Sequence, residues 1–226
     1  MKRQNSIFDL SAVVTGLILA MNLPPELPLW MAAIGSVIAI VVVKMMFGGI
    51  GHNFANPAIT ARIALLVSFP KAMTDWVAPN GAEVITGATD ATSMATPLTT
   101  DGYSYTQLFM GQVPGSLGET FKLLIILAFL YLVFRRVISP IIPVTIVGTV
   151  ALMSVIFGLD PLYTILSGGL LFGAVFMATD YVTSPINWKG HIIFGVGIGV
   201  ITFVIRRFGY LPEGMSYAIL LMNLFV

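Results

Sequence analysis

Apolar runs fill almost the whole chain, and a single long polar interval, residues 74–118, divides them. The chain is 57% hydrophobic and only 9% charged, whereas about a quarter of the residues in soluble globular proteins are charged. These values place the chain among membrane proteins with several spans, without a separate soluble domain. Loops longer than about 12–15 residues are usually functional or disordered, so we expect the polar interval to have a function.

Residue usage excludes several classes of function. The chain has no cysteine, which excludes disulfides, cysteine-bound zinc and cysteine-bound iron–sulfur clusters within it. His52 and His191 are isolated in the sequence, so we interpret both as structural or interfacial rather than as haem ligands, and we predict no metal site. The net charge of +1 gives no basis for nucleic acid binding. Any redox chemistry would therefore need an organic cofactor.

The apolar runs predict an all-α polytopic membrane protein. A membrane-crossing helix needs about 17–25 mostly apolar residues, although short or broken spans occur. Eight candidate spans follow, with prolines mostly at their boundaries: residues 7–22, 29–47, 57–69, 120–135, 140–157, 162–179, 190–206 and 213–226. The residues before the first span are too few for a cleaved signal peptide, so we expect that span to be retained.

The basic residues predict the orientation of these spans, because Lys and Arg concentrate in short cytoplasmic loops. With the amino terminus inside, the cytoplasmic loops carry Lys2, Arg3, Lys44, Arg135, Arg136 and Lys189. Arg206 and Arg207 fall on the outer side, against the rule, and we interpret them as interfacial anchors. This orientation places the 74–118 interval on the extracytoplasmic side.

An internal repeat is visible as a shared order of landmarks in residues 10–69 and 170–225. Because the paired spans lie five helices apart, the two copies would be inverted in the membrane, as in many transport folds. The second copy is preceded by two helices that the first copy lacks. We therefore expect inverted five-helix repeats and ten spans in the intact protein, with residues missing at both ends.

The repeat predicts three segments. Residues 1–73 would form the first repeat without its first two helices, residues 74–118 the extracytoplasmic loop, and residues 119–226 the second repeat.

Two short motifs in the loop, TGAT (residues 86–89) and SMAT (residues 93–96), each place a threonine hydroxyl among small residues. Small neighbours let the backbone come close to a group attached to the hydroxyl, as glycine does near a phosphate. An ordinary turn with local side-chain to backbone hydrogen bonds is the alternative. Spacing alone does not choose between Thr89, Thr96 and the turn.

The sequence DATSMATPL, residues 90–98, looks like the flavinylation motif of the D-type subunit of Rnf ion-translocating oxidoreductase complexes. It is also similar to the B-type subunit of the sodium-translocating NADH:quinone reductase. In that family a phosphoester bond joins FMN to the last Thr of a Ser/Thr-x-Ala-Thr motif, a position that corresponds to Thr96. Met94 departs from the Gly that is frequent before the Ala, and Thr89 lies in a motif that fits as well. The match at Asp90 and at the Pro-Leu pair after the motif favours Thr96.

The resemblance extends over nearly the whole chain. Four further elements resemble family elements in the same order: GGIGHNFANPA (48–58), GQVPGSLGET (111–120), FMATDYVTSP (176–185) and YLPEGM (210–215). Around the threonine, the resemblance implies a cofactor site that includes Asp90, Ser93, Ala95 and Pro97. We expect Lys122 to contact the FMN phosphate, whereas Glu119 would repel it and is expected to cap the loop.

Several polar residues near the spans are candidates for an ion path or for structural roles. Asn53 and Asn56 could cap helix ends or contribute to a path. Asp180 and Glu213 are acids near membrane segments, where acids are functional candidates by default. Arg62 lies inside a short span, and we expect it to pair with an internal charge.

The resemblance implies a membrane subunit of an ion-translocating ferredoxin:NAD oxidoreductase in a bacterial or archaeal plasma membrane. It would carry covalent FMN and relay electrons on the extracytoplasmic side, coupled to Na⁺ or H⁺ transport. Its partners would be other Rnf subunits, including a second covalent-flavin subunit, and a flavin transferase for maturation. A second flavin such as riboflavin is a further expectation. No catalytic constellation is apparent, so we expect the chain to be inactive alone.

Three alternatives remain open at this point. The chain could be the B-type subunit of a sodium-translocating NADH:quinone reductase, although the Pro-Leu ending and the Gly-Glu-Thr element favour the Rnf branch. It could be a flavin-free transporter of small solutes with the same inverted repeat, since fold does not determine function. It could also be a structural scaffold for neighbouring subunits.

Overall fold

A computed structural model describes residues 9–49, 51–77, 97–98, 102–209 and 214–226. All regular secondary structure in these ranges is helical. The helices are α1 (Ser11–Met21), α2 (Leu29–Val37), α3 (Pro57–Ser68), α4 (Pro70–Met73), α5 (Tyr105–Met110), α6 (Lys122–Phe134), α7 (Ile141–Ile156), α8 (Pro161–Leu166), α9 (Leu170–Phe172), α10 (Trp188–Phe208) and α11 (Gly214–Asn223). Wider π-helical turns continue α2 over Ile38–Met45 and α9 over Gly173–Met177.

Helices α1, α2 and α3 pack together around a small apolar core that includes Leu19, Ala39 and Leu65. The start of α3 is determined locally, because the side-chain oxygen of Asn56 accepts hydrogen bonds from the backbone N–H groups of Ala58 and Ile59 at 3.0 and 3.3 Å. Pro57 occupies the first helical position, where its missing N–H costs nothing.

The turn before this cap depends on glycine. Gly48, Gly49 and Gly51 have φ angles of 126°, 94° and 83°, which residues with a side chain rarely adopt. The glycine-rich element at residues 48–58 is therefore a tight turn that leads into a capped helix.

Helix α7 lies against α10, and this pair organises the second half of the chain. The two helices approach closely because glycines of α10 face threonines of α7. A Cβ placed on Gly199 would lie 2.7 Å from the Cβ of Thr149, and Gly195 faces Thr145 in the same way. Small residues at such positions let helix backbones come into contact.

The candidate span at residues 162–179 is interrupted. Helix α8 ends at Leu166, and the chain turns through Ser167, Gly168 and Gly169 before α9 begins. Gly168 has a φ of 60°, which ends one helix and redirects the next. We call residues 167–169 the glycine turn.

Among the described residues, one helix, Trp188–Phe208 with 21 residues, is long and apolar enough to cross a membrane. Five shorter apolar helices have 10–17 residues. The outer faces of these helices are apolar, as Leu124, Leu127, Leu130 and Phe134 on α6 illustrate. The number of spans, the inverted repeat and the three segments stay predictions.

The fold has two ends that are easily distinguished along α7. This helix begins close to Ile138 and ends close to Gly158, and its 16 residues span about 24 Å at 1.5 Å per residue. We call the end near Gly158 the loop end, because Pro97 and Leu98 of the polar interval lie there. The end near Ile138 is the opposite end.

Candidate functional site

A cavity of about 510 Å³ opens at the loop end, and we call it the loop-end cavity. Its lining is made by Pro97, Leu98, Gly158, Leu159, Asp160, Tyr163, Thr164, Ser167, Phe203, Arg206 and Arg207. Of the two predicted cofactor-site residues that the structure describes, Pro97 lines the cavity and Lys122 does not. Asp90, Ser93, Ala95 and Thr96 lie outside the described residues, as do Thr89 and Glu213.

Two arginines in the last turn of α10 supply the positive charge of this cavity. Arg206 also ties α10 to the end of α8, since its Nη1 donates to the carbonyl oxygen of Thr164 at 3.1 Å and its Nη2 to that of Ser167 at 3.2 Å. The sequence predicts that Arg206 and Arg207 are interfacial anchors. It does not predict that both line a cavity. The signal in the sequence was an arginine pair that contradicts the positive-inside rule.

Asp160 positions the opposite wall of the cavity. One carboxylate oxygen accepts hydrogen bonds from the backbone N–H groups of Leu162 and Tyr163 at 2.9 and 3.3 Å, which caps α8. The other oxygen accepts a hydrogen bond from the Tyr105 hydroxyl of α5. This bond from Tyr105 lowers the pKa of Asp160 and raises that of Tyr105, because it favours the carboxylate and the neutral phenol.

Lys122 lies below the cavity rather than in its lining. It is only 1% exposed, and its Nζ donates to the carbonyl oxygens of Glu119 and of Gly168, the latter at 2.6 Å. On another side of the same turn, a Cβ on Gly168 would lie 2.6 Å from Leu98. The glycine turn thus separates Lys122 from the residues after Thr96. The contact of Lys122 with a phosphate stays a prediction.

Glu119 lies beside Lys122 in a narrow slot and is 5% exposed. Its Oε1 accepts a hydrogen bond from the backbone N–H of Ser116 at 3.0 Å, in agreement with the expected capping of the loop. The carboxylate fits because glycines flank it. A Cβ added to Gly115 would lie 2.8 Å from Oε1 of Glu119, and a Cβ added to Gly169 would lie 2.7 Å from Oε2.

A polar network lies in the interior, where α1 ends and α11 begins. Arg62 of α3 is 4% exposed, and its Nη1 donates to Asn22 Oδ1 at 3.4 Å and to Ser216 Oγ at 3.0 Å. Asn22 in turn donates to the carbonyl oxygen of Ile18 at 2.7 Å. These neutral partners join α3 to the ends of two other helices, and the predicted partner charge of Arg62 stays a prediction.

A second cavity of about 560 Å³ opens at the opposite end, and we call it the opposite-end cavity. Its polar lining includes Asp9, Thr15, Lys44, Asn53, Asn56, Thr179 and Asp180. Three of the residues predicted for an ion path or a structural role, Asn53, Asn56 and Asp180, therefore lie together, and Arg62 does not line this cavity.

Local hydrogen bonds hold the groups of the opposite-end cavity. Asp180 accepts a hydrogen bond from the Thr183 hydroxyl at 3.0 Å, and Lys44 lies 3.5 Å from the Thr15 hydroxyl. Asn56 donates to the carbonyl oxygen of Met177 at 3.2 Å in addition to its capping of α3. At the rim, the backbone N–H of Ser11 donates to Asp9 Oδ1 at 2.9 Å.

Comparison with known proteins shows the class to which this helical fold belongs. The model of the NQR2, RnfD, RnfE family matches residues 1–226, and the chain belongs to this family.

Within the family, the chain is similar to D-type subunits. It is 44% identical over 225 residues to the D subunit of the Na(+)-translocating ferredoxin:NAD(+) oxidoreductase complex of Acetobacterium woodii, a match that covers 99% of this chain and 71% of that protein. It is also 44% identical over 240 residues to the proton-translocating counterpart of Clostridium ljungdahlii, covering 96% and 71%. The D subunit of the ion-translocating oxidoreductase complex of Stutzerimonas stutzeri is 40% identical over 259 residues, covering 97% and 73%. The predicted family resemblance is confirmed.

Proposed function

We propose that this chain is the FMN-carrying membrane subunit of an Rnf-type ferredoxin:NAD oxidoreductase that translocates Na⁺ or H⁺. The names of the relatives support membership of such a complex and a D-type role within it. The observation that supports a bound flavin is the loop-end cavity. Pro97, the residue directly after Thr96, lines this cavity together with two arginines.

The cavity suits a flavin in size and charge. Ligand pockets usually have volumes of about 300–1,000 Å³, and the loop-end cavity falls within that range. Arg206 and Arg207 create a positive potential that favours a phosphate and a flavin ring that has gained negative charge. Phe203 adds an apolar wall. FMN supplies the electron chemistry, and these side chains orient and tune it.

The proposal includes a membrane orientation. The loop end faces the extracytoplasmic side, as the distribution of basic residues predicts. In this orientation Arg206 and Arg207 lie on the outer side, where they line the cavity and supply its positive charge. The intact protein has ten spans in two inverted repeats, works with a second covalent-flavin subunit, and receives FMN from a separate flavin transferase.

The attachment site is tested with two matched variants. Thr96→Ala should remove in-gel flavin fluorescence from this subunit, whereas Thr89→Ala should retain it. Mass spectrometry of a peptide that covers residues 86–98 should show the mass of FMN less water on Thr96. Loss of fluorescence in Thr89→Ala alone would overturn the assignment.

A flavin-free transporter is the second candidate, and one arrangement favours it. Two cavities open at opposite ends, and the Arg62 network lies between them, as in a carrier with access from both sides. A purified subunit without covalent flavin would support the transporter. The relatives' names support a D-type role over a B-type role.

A further inference from the structure

We propose that Glu119 binds the monovalent cation, Na⁺ or a proton, that the complex moves, in the slot between Gly115 and Gly169. This inference rests on the proposed function in one respect, namely that the electron carrier in the loop-end cavity is FMN. The geometry of the slot is independent of that function.

Among the described residues, no group donates a hydrogen bond to one of the two oxygens of the Glu119 carboxylate. Oε1 accepts from the Ser116 N–H, but Oε2 is fully buried and has no hydrogen-bond partner among the described residues. Ser116 is 0% exposed, and its hydroxyl likewise has no hydrogen-bond partner among the described residues. A buried carboxylate oxygen without a partner is unfavourable, so a proton or a cation is expected on it.

The available ligands suit a hard cation. The carboxylate and the hydroxyl of Ser116, the residue whose backbone N–H donates to Oε1, are oxygen groups, which are the ligands that alkali and alkaline-earth cations prefer. The two flanking glycines leave no side chain between the carboxylate and the backbone on either side. So close an enclosure excludes an organic ligand and leaves a proton or a single small ion as the candidate.

Two fixed cations keep the slot from being strongly negative. Lys122 of α6 donates to the carbonyl oxygens of Glu119 and Gly168, and Arg206 of α10 donates to that of Ser167. They bracket the glycine turn, with the cavity on one side and the slot on the other. A cation bound at Glu119 therefore adds net positive charge directly below the cavity.

This placement predicts coupling between the slot and the cavity. Ser167 lines the loop-end cavity, and Gly169, two residues further on, lies against Oε2 of Glu119. A cation at Glu119 would therefore favour an additional electron on a flavin held in that cavity. By reciprocity, a reduced flavin tightens cation binding. The flavin potential should rise with the concentration of the bound cation.

The test uses the purified intact complex and three forms of this subunit: wild type, Glu119→Gln and the control Glu26→Gln, which alters an exposed loop acid. Glutamine retains an oxygen that accepts from Ser116 and has nearly the same volume. Redox titrations at constant pH with varied Na⁺, and at varied pH without Na⁺, distinguish the two cations.

In the wild type and the control, the potential of the Thr96 flavin should rise by up to about 59 mV per tenfold increase in one cation, for a one-electron couple. Glu119→Gln should lose the Na⁺ dependence, or should lose the part of the pH dependence that exceeds that of the flavin itself. Identical dependences in wild type and Glu119→Gln would overturn the proposal.

A second measurement does not need the flavin. Equilibrium binding of ²²Na⁺ should fall by one site per complex in Glu119→Gln, or an infrared band of a protonated carboxyl should disappear if the cation is a proton. Absence of both changes overturns the cation site. Loss of the fluorescent band in Thr96→Ala tests the flavin separately, so failure of one proposal is distinguishable from failure of the other.

Two milder variants guard against misfolding of Glu119→Gln. Ser116→Ala removes only a hydroxyl and should weaken the cation a few-fold. Gly169→Ala places a methyl group where it meets Oε2 and should displace the carboxylate, with a larger loss of affinity. Full cation affinity in folded complexes with both variants would contradict the proposed slot.

Discussion

The two cavities have similar volumes, about 510 and 560 Å³, but opposite charge. Among the described lining residues, the loop-end cavity has two arginines and one aspartate, Asp160. The opposite-end cavity has one lysine, Lys44, and two aspartates, Asp9 and Asp180. The first therefore suits an anionic cofactor and the second a cation. An electron carrier coupled to ion movement needs both.

The largest expected effect comes from the interior between the cavities. Arg62→Met preserves most of the volume but leaves the side chains of Asn22 and Ser216 without their donor. We expect a loss of about 1–3 kcal/mol in the free energy of unfolding, because buried polar groups would lose a partner. Thermal unfolding of the purified subunit measures it. The exposed Arg135→Ala is the control, and an equal melting temperature in both variants would refute the role of the network.

The charge of the loop-end cavity is tested next. Arg206→Ala removes one positive charge and releases the carbonyl groups of Thr164 and Ser167. With flavin still attached, its one-electron potential should fall by about 60 mV, equivalent to a tenfold loss in stability of the reduced form. Redox titration of the fluorescent subunit gives the value, with Arg135→Ala as the control. An unchanged potential would show that the flavin does not lie in this cavity.

The opposite-end cavity is tested by neutralising one of its acids. Asp180→Asn retains an oxygen that can accept from the Thr183 hydroxyl but removes the negative charge. A single charge in an open cavity is worth about 1 kcal/mol, so the cation concentration at half-maximal turnover should rise about fivefold. Ion-dependent turnover in proteoliposomes measures this, with Glu26→Gln for comparison. If both variants behave as the wild type, the acidic cavity does not admit the cation.

The smallest effect concerns the wall of the loop-end cavity. The hydrogen bond from Tyr105 lowers the pKa of Asp160 and raises the pKa of Tyr105 itself. Its contribution to stability is therefore lost as pH falls through the lowered pKa of Asp160, and again as pH rises through the raised pKa of Tyr105. Melting temperatures across pH should show both losses in the wild type. In Tyr105→Phe the alkaline loss should disappear, and the acid loss should shrink to the part that comes from the backbone N–H groups of Leu162 and Tyr163. Tyr181→Phe, at an exposed position, should keep the wild-type profile.

The helices themselves were largely predictable. Apolar runs bounded by proline and glycine predicted a helix in each candidate region, and α3 begins at Pro57 as expected. The exception is the span at residues 162–179, which the glycine turn divides. Two adjacent glycines are compatible with a continuous apolar helix in sequence. In the structure, Lys122 and Arg206 donate to the carbonyl oxygens of Gly168 and Ser167, and these long-range hydrogen bonds hold the turn.

The site was predicted less completely. The motif at residues 90–98 directed attention to Thr96 through family resemblance, and Lys122 was singled out because it is a cation close to the end of the polar interval. The arginines of α10 were interpreted as anchors. They lie more than 100 residues after Thr96 in the sequence, and no local pattern joins them to it.

By itself, the amino-acid sequence determined the helical class, the family and the threonine to be tested, because hydropathy, caps and short motifs act over neighbouring residues. Only the tertiary structure decided which charges share a cavity and, within the described part of the chain, that Oε2 of Glu119 is buried without a donor. Those properties depend on helices that are far apart in the chain and on glycines whose missing side chains leave space. Pro97 and Leu98 of the polar interval thus line a cavity whose two arginines come from α10, and Glu119 is buried on the other side of the glycine turn.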